Sequence, residues 1–394
     1  MTFTNARLVL PDSITEPTTL TVAEGRIESI GLSNPSLTLP ARGIDLDGKY
    51  LAPGFIDIHV HGGAGADFMD LSADAFRIVC QCHARHGTTT LTPTSTVGTQ
   101  AQYRRFLELC QQLRHTDTGG SRIVGGHLYG PYFHPPAKGC HPNADFLTPQ
   151  PEQDDELLAF AGTGLVTLTV APETTGTERL VKAARSKGVL VTAGHTFATY
   201  DQMEAAIGWG VRHVDHLFCA MSDRARLRQT QAFPMRAGVM EATLVHHELT
   251  TEVIADGWHL SRELLLTAYR IKGPDKLALV SDSMRAVDMP DGEYWFGSSE
   301  NGERIRRRGE VGVTLDGTGL ASGVMALDHG IRTFHRLTGA PLHEVVRMAT
   351  LTPARILGLQ EEVGQLAVGL RADLVVLNDS LHVEQVYVGG ERVS

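Results

Sequence analysis

Long apolar runs are missing from this 394-residue chain, and none approaches the roughly 20 residues that a membrane-crossing helix needs. Positive charge is in the minority, and a net charge of −10 argues against nucleic acid as a partner. The opening Met1-Thr-Phe-Thr-Asn-Ala-Arg7 has neither the basic head nor the apolar core of a signal peptide. Cysteine is scarce and unpatterned: five thiols (Cys80, Cys82, Cys110, Cys140, Cys219) are odd in number, and Cys80-x-Cys82 is tighter than the C-x-x-C of metal and redox motifs. Reduced thiols in a cytoplasmic protein are therefore expected. There is no solenoid period, no low-complexity linker, and no G-x-G-x-x-G after an early strand. What is present is an ordinary globular composition, 42% hydrophobic and 20% charged, long enough for one large domain and a smaller one.

The two ends of the chain read alike. Short β segments such as Ala6-Arg-Leu-Val-Leu10 and Arg26-Ile-Glu-Ser-Ile30 recur near the other terminus as Asp373-Leu-Val-Val-Leu377 and Val383-Glu-Gln-Val-Tyr-Val388. Residues 1–52 and 350–394 are thus expected to build one small β-sandwich domain from both termini. Residues 53–349 alternate instead. Strand-like runs fall at 54–59, 88–93, 123–127, 165–171, 189–193, 213–217, 251–255 and 276–281, with helical patterns at 73–85, 100–114, 177–186 and 200–209 among the gaps. Eight such repeats place the chain in the α/β class as a (β/α)8 TIM-type barrel, ahead of an open doubly wound sheet.

Leu51-Ala-Pro-Gly-Phe-Ile-Asp-Ile-His-Val-His-Gly62 is the most informative stretch. The period-two alternation of a strand sends His59 and His61 to the same face, a good beginning for a divalent-metal site. Further ligand-type residues follow later runs: His195, His216, Asp256, His259 and Asp282. Barrel enzymes place their chemistry at these strand ends. Any one of these groups could be a helix cap or a satisfied core residue, but their common placement points to a hydrolytic metal site.

These motifs resemble the amidohydrolase superfamily and, within it, the N-acetylglucosamine-6-phosphate deacetylase family, over nearly the whole chain. The resemblance rests on Pro53-Gly-Phe-Ile-Asp-Ile-His-Val-His61, Gly87-Thr-Thr-Thr90, Ala171-Pro-Glu173, Gly194-His-Thr196, Asp215-His-Leu-Phe218, Ile254-Ala-Asp-Gly-Trp-His259 and Leu279-Val-Ser-Asp282. It implies that His195 and His216 bind a metal, that His59 and His61 complete a second position, and that Asp282 is the catalytic aspartate. By the same resemblance His141 contacts substrate near its acetyl group, and Cys219, Ala220 and His259 line a sugar-phosphate pocket. One or two divalent ions per chain are implied, with zinc, iron, manganese and cobalt not distinguished, together with a homodimer. The phosphate-binding arginine, which in the family can come from a neighbouring subunit, has three candidates here: Arg226, Arg228 and Arg236.

Two departures stand out. Tyr129, in His127-Leu-Tyr-Gly-Pro131, occupies the place of the family's metal-ligating glutamate, and Cys219 that of an asparagine. A neutral phenol is a poor replacement for a carboxylate ligand. The expectation is that the working metal sits on His59, His61 and Asp282, with Tyr129 as a phenolate ligand, a water-filled gap or a packing residue as alternatives. The expected function is hydrolysis of the acetyl group from an N-acetylglucosamine 6-phosphate-like substrate, with metal-activated water and Asp282 as general base and acid. Two other readings stand: an amidohydrolase for a different N-acyl or cyclic amide, and a weakened barrel with a binding role.

Overall fold

The computed structural model describes residues 1–31, 43–114, 116–142, 146–222, 227 and 234–394. Runs rich in threonine, valine, leucine and isoleucine form eight parallel strands: β1 (Phe55–Val60), β2 (Thr88–Pro93), β3 (Gly126–Tyr132), β4 (Leu165–Val170), β5 (Leu190–Ala193), β6 (His213–Val214), β7 (Thr250–Ile254) and β8 (Leu277–Val280). Nearly all their residues are buried, as befits parallel strands covered on both faces. β1 pairs with β2, and β3 to β8 pair in succession.

Two seams complete the ring. Thr94 bridges to His127, and the Ser95 N–H donates to the His127 carbonyl at 3.1 Å, joining β2 to β3. The Asp282 N–H donates to the His59 carbonyl at 2.9 Å and the His61 N–H to the Ser283 carbonyl at 2.8 Å, joining β8 to β1. This is the barrel that the eight strand-like runs implied. Its second seam matters most, because it sets Asp282 of the last strand beside the two histidines of the first.

The helical patterns also fall where expected, at Ala73–Arg85, Gln100–Leu113, Thr177–Ser186 and Tyr200–Trp209. Ser72, Thr99 and Thr199 cap three of them by accepting a hydrogen bond from the backbone of the first turn. At the end of β5, Gly194 is required by close approach: a Cβ there would stand 2.2 Å from Asp215 Oδ2.

The chain ends share one sheet. Its order runs Glu391–Arg392, Val383–Val388, Leu374–Leu377, Tyr50–Pro53, Thr2–Leu8, Thr18–Ala23 and Arg26–Ile30, with Gly43–Asp45 also paired to Thr2–Leu8. Phe3, Leu20, Ile27, Leu51, Leu374 and Tyr387 form its apolar core. Residues between this sheet and the barrel belong to the barrel's packing: Ala354 and Val363 pack with Ile56, Ile58, Ala278 and Val280.

One element has no counterpart in the sequence reading. After β8 the chain forms a three-stranded antiparallel sheet, Gly292–Phe296, Glu303–Arg308 and Val311–Thr314. Arg285 anchors it, donating to the carbonyls of Trp295 (2.7 Å) and Gly297 (2.6 Å) while pairing with Asp70 at 2.8 Å.

A titrating cluster ties three elements together on the barrel's flank. His86, at the end of helix Ala73–Arg85, lies 2.9 Å from Asp288 and 3.2 Å from Asp328. Burial opposes its charge, but the hydrogen bonds to both carboxylates outweigh burial and raise its pKa to about 9. Because the folded value exceeds the unfolded one, this contribution is complete below about 6.5 and is lost as pH rises to about 9. With partial solvent screening, it should amount to about 1–2 kcal/mol. His86→Asn should therefore reduce stability by that amount at pH 6 and scarcely at all at pH 10, measured by chemical denaturation; an equal loss at both pH values would contradict the assignment.

Candidate active site

His59 lies within β1 and His61 just beyond it, so both rings emerge on one side of the strand. Their Nε2 atoms converge on Asp282 Oδ1, at 3.6 Å and 3.1 Å. The opposite nitrogen of each ring is held: His59 Nδ1 donates to Glu252 Oε1 at 2.5 Å, and His61 Nδ1 to the Thr94 carbonyl at 3.2 Å. Both Nε2 atoms are buried without a hydrogen-bond partner. An imidazole fixed as an Nδ1–H donor presents its Nε2 lone pair, the form in which histidine ligates a metal. Two such nitrogens and a carboxylate fit a divalent cation.

Glu252 is the hub behind this cluster. Its Oε1 also accepts from the His216 N–H at 3.2 Å, and its Oε2 lies 3.2 Å from His213 Nε2. Burial disfavours its charge, but His59 and His213 more than offset that and hold the carboxyl well below the usual range. For His59 burial again works against charge, and Glu252 with Asp282 raises its pKa to about 10. Burial likewise opposes the charge of Asp282, yet His59 and His61 pull its carboxyl far down. Without a cation the pocket thus holds a proton between two carboxylates, and a bound metal ion would replace it. The backbone bends sharply here too: His195 (φ +46°) and Asp282 (φ +45°) both adopt the left-handed conformation at strand ends.

His195 and His216 form a second group. His195 Nδ1 donates to the Ala137 carbonyl at 2.8 Å, and its Nε2 is 3.3 Å from His216 Nε2. The Tyr129 hydroxyl lies 2.6 Å from that same His216 nitrogen. Phe133 stacks on the His195 ring at 4.1 Å. Burial lowers the pKa of both histidines and, with Asp215 and Asp282 nearby, raises that of Tyr129 well above its ordinary value. This group is therefore uncharged. Among the described residues, the clusters of carboxylates, thiols and imidazoles able to hold a metal are His59–His61–Asp282 and His213–Asp215–Glu252; neither includes His195 or His216.

A cavity of about 170 Å³ opens onto Asp282, His195, His216 and Tyr129. His141, Cys219, Ala220 and His259 all line it. His259 is fixed by Asp256, 2.7 Å from its Nδ1. Burial pushes the Cys219 thiol up to about 12, so it presents a neutral surface. Arg236 does not reach the cavity; it is exposed and lies 3.7 Å from Asp201. Arg226 and Arg228 lie outside the described residues. No lysine or arginine lines the cavity among the described residues.

Two contributors escaped the sequence reading. Glu252 had a signal, a lone carboxylate inside the apolar run of β7 that could stay buried only with partners. Phe296, which packs 5.1 Å from His61 and 4.9 Å from His141, had none, since it arrives on the unanticipated three-stranded sheet. Glu252→Gln retains an acceptor for His59 but removes its charge. It should weaken divalent-metal binding about 10- to 100-fold, as read by chelator competition; unchanged affinity would remove Glu252 from the metal site.

The sequence profile of the Amidohydrolase family matches residues 50–393. The chain is 32% identical over 343 residues to an N-acetylglucosamine-6-phosphate deacetylase of Vibrio furnissii, covering 87% of this chain and 82% of the relative. It is 32% identical over 394 residues to an N-acetylgalactosamine-6-phosphate deacetylase of Escherichia coli O157:H7, covering 98% of each. A solved structure of a Mycobacterium smegmatis N-acetyl-D-glucosamine-6-phosphate deacetylase variant, in complex with N-acetyl-D-glucosamine-6-phosphate, superposes with a TM-score of 0.90 at 29% identity, covering 100% of this chain and 99% of that one. Such enzymes generally depend on divalent metals, and the donor set at the cavity floor agrees with that. The chain belongs to the Amidohydrolase family, among its N-acetylglucosamine-6-phosphate deacetylase members.

Proposed function

We propose that this protein hydrolyses the acetamide of an N-acetylated amino-sugar phosphate, releasing acetate and the free amine. The observation that carries the reading is the pair of unpartnered, buried Nε2 atoms of His59 and His61 aimed at Asp282 beneath the cavity. A divalent cation bound there supplies Lewis acidity and makes water nucleophilic at neutral pH. A three-donor set of this kind would take one ion per chain, and its mixed nitrogen and oxygen ligands suit zinc, iron, manganese or cobalt.

The chain's own residues do the rest. Asp282, held ionised by His59 and His61, takes a proton from the attacking water and returns it to the departing nitrogen. His141, kept neutral by burial and with its Nδ1 unpartnered, stands in the cavity wall where the acetyl group would lie. Phe296 and Leu320 shed water from the same space. The five unpaired cysteines support a cytoplasmic setting, and a homodimer belongs to the same proposal.

A second reading has one observation in its favour. With no lysine or arginine on the cavity wall among the described residues, an unphosphorylated N-acyl substrate is the alternative. Acetate release measured side by side on N-acetylglucosamine 6-phosphate, N-acetylgalactosamine 6-phosphate and the two free sugars separates them. A phosphorylated sugar is expected to give the higher kcat/KM; preference for a free sugar would favour the second reading. Asp282→Asn, assayed at saturating divalent metal, should lower kcat by about 10²- to 10⁴-fold, and unchanged turnover would exclude Asp282 from proton transfer.

A further inference from the structure

The trio of Tyr129, His195 and His216 lines the cavity yet has no part in the scheme above. Its hydrogen bonds have a direction. Because His195 Nδ1 donates to the Ala137 carbonyl at 2.8 Å, His195 Nε2 carries a lone pair. The proton in the 3.3 Å gap between the two Nε2 atoms then belongs to His216, whose N–H also faces the Tyr129 oxygen 2.6 Å away. That leaves the phenolic oxygen as the acceptor and its own proton available to the cavity. A cation between these imidazoles would have to displace the hydroxyl, and the metal-capable clusters among the described residues bring no carboxylate to the pair.

We propose that Tyr129 is a catalytic residue: its hydroxyl donates a hydrogen bond to the acetyl oxygen as the carbon becomes tetrahedral, and its place beside His216 keeps the His195–His216 pair free of metal. This rests on the deacetylase reading. Water adds to the acetyl carbon, one of its protons passes to Asp282, and the carbonyl π pair moves onto oxygen. Tyr129 stabilises that charge without surrendering its proton. On collapse the pair returns, the C–N bond breaks, and nitrogen leaves with the proton held by Asp282, giving acetic acid, which ionises, and the free amine. A fixed neutral donor in a buried cavity needs no reorganisation as charge develops, which is why such donors weigh on kcat.

Tyr129→Phe removes only the hydroxyl. With N-acetylglucosamine 6-phosphate or N-acetylgalactosamine 6-phosphate, whichever the wild type turns over, kcat should fall about 100-fold with KM little changed. Wild type and variant should both retain one metal ion per chain, and Tyr129→Glu should gain a second. An unchanged kcat, or two ions in the wild type with one lost in Tyr129→Phe, overturns the proposal. Failure of the functional reading looks different: the wild type would release no acetate from either sugar phosphate. The ion count would then decide, one ion per wild-type chain supporting the metal-free pair and two overturning it.

Discussion

The hydrogen bond from His59 Nδ1 to the buried carboxylate of Glu252, 2.5 Å long, is the contact on which the rest of the site depends. It keeps the Nδ1 proton in place, so that a cation displacing the proton on Nε2 would meet a lone pair facing Asp282. The same carboxylate holds the His216 backbone and the His213 ring, so three strands of the barrel are referenced to one anion. An ionised carboxylate inside a barrel is costly unless its partners are fixed, and here His59 and His213 sit on short, paired strands. Rigid strands and a buried anion together give a preformed donor set.

Closure of the barrel is the second constraint. The backbone bonds between His59 and Asp282, and between His61 and Ser283, are ordinary sheet bonds, yet they bring together residues more than 200 positions apart. The left-handed backbone at Asp282 and His195 turns both side chains at the mouth of the barrel, the kind of local strain that persists where surrounding structure fixes it. On one side of the cavity lies charge, on His59 and Asp282. On the other lie Tyr129, His195, His216 and His141, which burial keeps neutral. A charged nucleophile-activating side and a neutral donor side suit a reaction in which water attacks one face of a carbonyl while charge collects on its oxygen.

Much of this was legible in the sequence, for physical reasons. Period-two alternation in β1 and eight apolar runs at regular intervals gave the barrel, and polar residues directly after those runs gave His195, His216, His259 and Asp282. Glu252 was legible in principle, as a charge inside an apolar strand, but its partners come from β1 and β6 and cannot be read locally. The three-stranded sheet was not, because Glu303-Arg-Ile-Arg-Arg-Arg308 has the charge of a solvated loop and becomes a strand only by pairing with both its neighbours. Phe296 went unseen with it. Tyr129 departs from the family pattern in the sequence itself, but its contact with His216 is a tertiary fact that spacing could not supply.

The central claim is that the ion which supports hydrolysis sits on His59, His61 and Asp282. Anomalous diffraction from metal-loaded crystals, collected on either side of the metal's absorption edge, locates it directly. A single peak within about 2.0–2.2 Å of the two Nε2 atoms and an Asp282 oxygen, with the Tyr129–His216 contact intact, is the expected result. A peak between His195 and His216 with Tyr129 displaced, and none on His59 and His61, would contradict it.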